Sequence, residues 1–441
     1  LEDEKMFNEN LKVKIAPIMW SKGRQVALRP EGLPVEDVSP ETLENKGLIE
    51  LLPPLEVERK KGVRNISEEM DAILIGGARA YFAKEEILDE IASLNKPLIA
   101  DWDNWGYSIY YGRVSKFRFG KYSDVKYFIP TGANDLLSLL SALRSWKILR
   151  KLRVIYIGEY PSCTVSIPES VTFDYIREKI GVEILHLDQA QYLEALKNVE
   201  NEEAEKIAEK WRESFEIVDD REQRLGEYGK IYVAIKNLIE KYNADAFTID
   251  CLALPGEKEY QPCLAFSLLI DEGIPCSCEG DLPALFTLTM LMGISGKAGL
   301  MGNLNVNVTH TEIENNVITI NHDIVPPSYA CPGYNFKIRD FHGSGKGTTP
   351  YTVLLEYADV TLAGISWDMD NLWTTRGKVL WTRDGTEDTG ACRVCIGVKV
   401  KDAKKIVREA FGHHQVLVYG DYTEELEKLA KLLDLNFSSF E

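Results

Sequence analysis

Residues 245–295 read DAFTIDCLALPGEKEYQPCLAFSLLIDEGIPCSCEGDLPALFTLTMLMGIS, and this stretch decides the fold class. DAFTID (245–250) is short, apolar and β-branched, as a buried strand is. YQPCLAFSLLIDEG carries helical spacing, IPCSCEGD (274–281) returns to strand, and Leu282–Ile294 is again a helix. Strand and helix alternating at this interval predict parallel strands covered by helices. Working outward, GLMGNLNVN (299–307) is the next strand. Upstream stand LRVIYIG (152–158), a fully apolar strand ending in Gly, and two long helices over Ala190–Phe215 and about Glu222–Tyr242. Earlier still the same alternation recurs in LKVKIAPIM, DAILIGG (71–77), AKEEILDEIASL, KPLIAD and DLLSLLSALRSWKIL, which predicts a first parallel sheet.

From about Val317 the texture changes. NNVITINHDI, TVLLEYADVTLAGIS, GKVLWTRDG and CRVCIGVKV alternate and are punctuated by turns, so an antiparallel β region is expected before a final helix, strand and helix (DAKKIVREAF, HHQVLVYGD, EELEKLAKLLDL). A length of 441 residues at ~150 per domain corresponds to about three domains, with boundaries expected near 148 and 312: 1–148, 149–312 and 313–441. No internal repeat or low-complexity linker marks them.

The charge narrows the partners. Lys+Arg 51 against Asp+Glu 69 leaves a formal charge of -18, which opposes phosphate backbones and anionic lipid, so neither nucleic acid nor a membrane is an expected partner. The longest apolar run, Leu282–Ser295, is shorter than the ~18–20 residues that cross a bilayer and reads as a buried helix. The amino-terminal LEDEKMFNENLK lacks the basic-then-apolar order of a secretory leader. Eight scattered cysteines read as reduced thiols, and a cytoplasmic enzyme is the expectation.

Ligands in open parallel sheets collect at the carboxyl ends of strands. Those ends supply Asp101, Asp250, Glu279 with Asp281, and Asn303 with Asn305. In PCSCEGD the cysteines at 276 and 278 share one face and Glu279 alternates to the other at the strand's exit, a position suited to a metal-binding carboxylate; a helix cap or solvated rim is the plainer role for such a residue. Of six histidines, five lie beyond residue 300. His322 ends an apolar strand. His413 and His414 open another, and because strand neighbours point to opposite faces, one of the two is expected to face a common site. Glu and His donors from distant segments suit a divalent ion with an open position.

Other motifs carry less. GSGKGT (343–348) has the end of a phosphate loop, but the first glycine such a loop needs falls on Asp340, and the following TTPYTVLLEYADV reads as strand, not helix. Nucleotide binding is therefore poorly supported, and Lys346 is a candidate to meet a ligand's hydroxyl or phosphate. Cys392 and Cys395 stand i and i+3 on a strand, on opposite faces, and are not expected to chelate one metal. IGGARAYF lacks the dinucleotide fingerprint. Trp102 and Trp105, after a strand end, are candidates for stacking on a sugar ring or packing a subunit interface.

Taken together, IPCSCEGDLPALFTLTMLMGISGKAGLMGN, INHDIVPPSY, FHGSGKGT, CRVCIGVKV and FGHHQVLVYGDY resemble, in order and spacing, the carboxyl-terminal half of the L-fucose/L-arabinose isomerase family, over roughly residues 240–441. The resemblance implies an α/β protein of two Rossmann-like parallel-sheet domains and a β-rich C-terminal domain. It also implies a manganese-type site that interconverts an aldose and a ketose, in a homo-oligomer (trimer or hexamer). By motif, Glu279 resembles the family's first carboxylate, both metal ligand and acid/base, His322 a histidine ligand, and one of His413 or His414 the carboxyl-terminal ligand. The departure is equally specific. The second catalytic carboxylate should fall within Gly302–Asn307, where GNLNVN offers only asparagines; Asn303 can ligate a metal through its carbonyl but cannot take a proton. Asp281, Asp250, Asp323 or a metal-bound hydroxide is then the substitute, or the chain is a catalytically silent sugar binder.

Overall fold

The computed structural model describes residues 12–20, 40–58, 62–64, 66–100, 105–162, 164–254, 260–386 and 392–441. The chain divides into two compact units, Asn8–Lys147 and Ile148–Glu441.

In the smaller unit, strand β1 (Val13–Trp20) lies at the centre of a sheet and pairs in parallel with β2 (Ile49–Leu51), β3 (Leu55–Glu58) and β5 (Ala72–Ile75). The sheet continues in parallel through β6 (Leu98–Ala100) to β7 (Tyr127–Phe128), and β4 (Gly62–Arg64) closes the opposite edge antiparallel to β3. Helices α1 (Pro40–Asn45), α2 (Gly77–Phe82), α3 (Glu85–Ser93), α4 (Trp105–Phe119) and α5 (Ala133–Leu149) occupy the connections. The alternating pattern predicted this parallel sheet. A buried ion pair, Lys147 Nζ to Asp71 at 2.8 Å, ties α5 to the start of β5.

The larger unit opens with a four-stranded parallel sheet in the order β12 (Cys276–Ser277), β11 (Ala246–Ile249), β8 (Arg153–Ile157), β9 (Glu183–Leu187). Its helices are α6 (Phe173–Lys179), α7 (Gln189–Asn198), α8 (Asn201–Ser214), α9 (Leu225–Tyr242) and α10 (Cys263–Asp271). The single helix expected over 190–215 is two: Val199 and Glu200 take extended backbone angles between α7 and α8. A short strand β10 (Glu216–Ile217) joins a three-stranded sheet completed later in the chain.

Helix α11 (Leu282–Ser295) is buried on every face from Leu282 to Ile294, which is why its sequence shows no polar stripe. It packs against β12 of the parallel sheet and against the strands of the β region that follows. That region is a closed antiparallel barrel: β13 (Leu300–Leu304), β14 (Val317–His322), β17 (Asp359–Ile365), β18 (Asn371–Asp384), β19 (Val394–Val400) and β20 (His414–Tyr419) run in the order β17-β20-β13-β14-β19-β18, and β17 pairs with β18 to close the ring. Closure leaves no exposed edge. At Gly397 a side chain would meet the Trp381 ring at 2.2 Å, so only glycine lets β18 and β19 approach as they do. Strand β21 (Asn436–Ser439) hangs in parallel off β18, β15 (Lys337–Arg339) and β16 (Thr349–Tyr351) complete the sheet of β10, and α12 (His310–Glu314), α13 (Ala403–Glu409) and α14 (Thr423–Leu432) cover the connections. Among the described residues no helix is long and apolar enough to cross a membrane.

Candidate active site

Glu279 stands where the parallel sheet hands over to α11. The strand expected over 274–281 ends at Ser277, so the Glu279 side chain is aimed by a turn and not by alternation: Glu279 and Gly280 both take positive φ, 60° and 66°. Gly280 has no alternative, because a Cβ there would lie 2.6 Å from the Tyr156 hydroxyl. Ser277 Oγ donates to the Asp281 carbonyl (2.9 Å) and holds the turn from below.

Three histidines converge on this carboxylate. His413 Nε2 lies 3.1 Å from Glu279 Oε2 and His414 Nε2 3.9 Å from Oε1. The expectation that one of the two neighbours faces away is corrected: β20 begins at His414, and His413 precedes it after Gly412 (φ 95°), where strict alternation does not yet hold. Glu279, His413 and His414 each present a ligand atom, all within 4.8 Å of one another. His322, at the end of β14, brings its Nε2 to 3.1 Å from His414 Nε2. Asn303 pairs in register with both His414 and Asn321 and is therefore beside the cluster, on the strand between its histidines.

The proton order follows from the partners. The Asp323 backbone N–H donates to His322 Nδ1 (2.9 Å), so a neutral His322 carries its hydrogen on Nε2 and donates it to His414 Nε2; His414 then donates from Nδ1 to Asp281 Oδ2 (2.8 Å). Asp281 is fully buried. Its Oδ1 caps α11 by accepting from Ala284 N (2.9 Å) and its Oδ2 orients His414, so it acts on a histidine and does not face a cleft as a base. A carboxylate behind a histidine is the usual means of fixing which ring nitrogen is offered to a metal. Because the Asp323 N–H occupies Nδ1, a neutral His322 keeps its hydrogen on Nε2 and serves as a partner of His414, with no Nε2 lone pair left for an ion.

Burial pushes the Glu279 carboxyl up, but the His413 hydrogen bond and the fields of His414 and His322 outweigh it and hold the group down at about 2. The Glu279 hydrogen bond raises His413 against the effect of burial. Burial, with His414 adding, depresses His322 to about 4, so that ring is neutral near pH 7. An anionic carboxylate beside imidazole nitrogens is a donor set that fits a divalent transition-metal ion.

Of the residues offered as substitutes for the missing second carboxylate, Asp281 is committed as above. Asp323 turns toward His342 and Cys392. Asp250, at the end of β11, is 1% exposed; Ser162 Oγ donates to its Oδ2 (3.1 Å) while Oδ1 accepts no hydrogen bond among the described residues, and burial, with Glu279 adding, raises its pKa. Lys346 sits in the turn after His342 between Gly345 (φ 70°) and Gly347 (φ 56°). Trp102 and Asp101 lie outside the described residues, and Trp105 is the first residue of α4 in the smaller unit. Cys395 is buried on β19, whereas Cys392 precedes that strand and joins Asp323 and His342, a grouping that strand alternation alone does not reveal.

No family model matches the chain. Among single proteins, it is similar to the sulfoquinovose isomerases of Priestia aryabhattai and Priestia megaterium, each 22% identical over 316 residues, 68% of this chain and 67% of theirs. The sulfoquinovose isomerase of Alkalicoccus urumqiensis is 23% identical over 317 residues with the same coverage. The chain is a distant relative of sugar isomerases. The sugar-isomerase likeness was legible in the motifs. Its relatives carry the name of a different sugar from those the motifs brought forward.

Proposed function

We propose that this protein is a divalent-metal-dependent aldose–ketose isomerase acting on a small sugar. The observation that carries the reading is the convergence of Glu279, His413 and His414 from two distant segments, with Asp281 fixing the His414 tautomer. Glu279, His413 and His414 would hold the ion, with His322 behind His414 and Asn303 beside the cluster. Such an ion, manganese by the resemblance to the L-fucose/L-arabinose isomerases, polarises a sugar carbonyl and acidifies the neighbouring C–H. The chain's own residues then manage the protons. Glu279, held ionised, is the base poised at the cluster. Asp250, buried with an unengaged Oδ1 and a raised pKa, is the group able to hold a proton in place of the carboxylate that Asn303 and Asn305 do not supply. Lys346 is a candidate for the sugar's periphery, and Trp102 and Trp105 for stacking on a sugar ring or packing a subunit interface.

The test is turnover of a sugar panel, pentoses, hexoses and sulfoquinovose, with and without manganese. Ketose formation abolished by chelation, by Glu279→Gln and, with metal still bound, slowed by Asp250→Asn is expected. The competing reading is a silent sugar binder, favoured by the asparagines of 303–307; sugar binding without turnover, indifferent to chelation, is its signature.

A further inference from the structure

We propose that Asp323, His342 and Cys392 form a second divalent-cation site, of zinc-like preference, separate from the Glu279 centre. The three donors come from three segments: the residue after β14, the turn at 341–347 and the residue two before β19. Their ligand atoms lie within 4.8 Å of one another.

Asp323 is a buried carboxylate whose nearest cationic group is a histidine. It is 1% exposed, its Oδ1 accepts from Arg393 N (2.8 Å), and among the described residues neither lysine nor arginine side chains reach it. The adjacent Arg393 guanidinium is spent elsewhere, on Asp340 Oδ1 (2.6 Å) and Asp384 Oδ2 (2.7 Å). A buried carboxylate persists only with a cation or a full set of hydrogen bonds. The group that touches it is His342 Nε2, an ion pair when that ring is protonated, although Nε2 meets no partner at hydrogen-bond geometry among the described residues. Cys392 completes the triangle. A thiolate next to a buried carboxylate is repelled unless a cation stands between them, and a dication supplies that.

The surroundings hold the donors in place. His342 has φ 52°, in the left-handed region that a non-glycine residue rarely adopts. Its ring stacks on Phe341 at 3.9 Å between centroids with planes 9° apart. The turn is anchored by Asp340, whose Oδ2 accepts from Gly345 N while Arg393 grips its other oxygen. The donor chemistry separates the two sites. Sulfur, nitrogen and oxygen favour zinc or cobalt, whereas the Glu279 centre offers no sulfur. On binding, the Cys392 S–H proton passes to solvent as the sulfur–metal bond forms, and His342 binds as the neutral ring, so an ion here would pin the 341–347 turn to the end of β14.

Cobalt(II) titrated into the chelator-stripped full chain tests this independently of any isomerase activity, because only a thiolate ligand produces sulfur-to-cobalt charge transfer in the near ultraviolet. The wild type is expected to develop that band and saturate it at about one ion per chain. Cys392→Ser should abolish the band, His342→Ala should weaken it at least about tenfold, and Glu279→Gln should leave it in place. No band in the wild type, a band that survives Cys392→Ser, or a band lost in Glu279→Gln overturns the proposal.

Discussion

Asp281→Asn separates orientation from folding at the Glu279 cluster. The substitution keeps a side-chain oxygen to accept from Ala284 N, so the cap of α11, worth about 1 kcal/mol, is retained. What changes is the group opposite His414 Nδ1, now an amide N–H₂ in place of a carboxylate oxygen 2.8 Å away. To avoid two donors facing each other at the substituted position, His414 has to move its hydrogen to Nε2, where it meets the His322 Nε2 hydrogen instead, so the substitution disturbs the whole His322–His414 chain. The ring then cannot donate a lone pair to an ion. Losing the partner that orients a histidine ligand typically costs 10–100-fold in metal affinity, about 1.4–2.8 kcal/mol. Manganese affinity by calorimetry and melting with and without manganese are the assays. The expected result is a chelator-treated melting curve close to wild type together with an affinity at least tenfold weaker. Asp281→Ala, which also removes the cap and leaves the His414 N–H unpaired, should cost about 2–4 kcal/mol in stability besides. Wild-type manganese affinity in Asp281→Asn would refute the assignment of His414 as a ligand oriented by Asp281.

Further outcomes follow from the same geometry. Glu279, held at about 2 against an ordinary 4.5, contributes stability that is full above the ordinary value and lost as pH falls through the depressed one; without added metal this is about 3 kcal/mol, so acid denaturation of Glu279→Gln should be correspondingly shallower below pH 4.5. His322, depressed to about 4, works with the same sign: the unfolded chain takes up its proton first as pH falls below 6.5, and His322→Asn should remove that loss between pH 6.5 and 4 in denaturant titrations. Arg393→Met leaves buried Asp340 without its arginine, while Asp384 keeps Arg339, and should cost about 3–5 kcal/mol by denaturant unfolding. Gly397→Ala must push the Trp381 ring aside and should lower stability by about 1–3 kcal/mol, read as a reduced denaturation midpoint.

Periodicity alone determined much of this protein. β-branched runs ending in polar residues placed β5, β8, β11 and the parallel order of both α/β sheets. The all-apolar Leu282–Ile294 declared a buried helix, and the alternation after Val317 declared antiparallel strands. These readings hold because the side-chain period of a strand or helix is set by local backbone geometry, which residues a few positions apart report directly. Glu279, His322 and the His413–His414 pair were legible as candidates because scarce ligand-type residues fall at the ends of such elements. What tertiary structure alone decided is where those ends meet. The left-handed turn at Glu279 and Gly280, the start of β20 at His414 and the end of β14 at His322 bring together groups from three separate segments, His322 and His414 92 positions apart and Glu279 and His413 134. The same long-range geometry makes Asp281 a partner of His414 in place of a base, and puts Cys392 with Asp323 and His342 in place of its sequence neighbour Cys395. A carboxylate's role depends on which group it faces across the fold, and no local period encodes that.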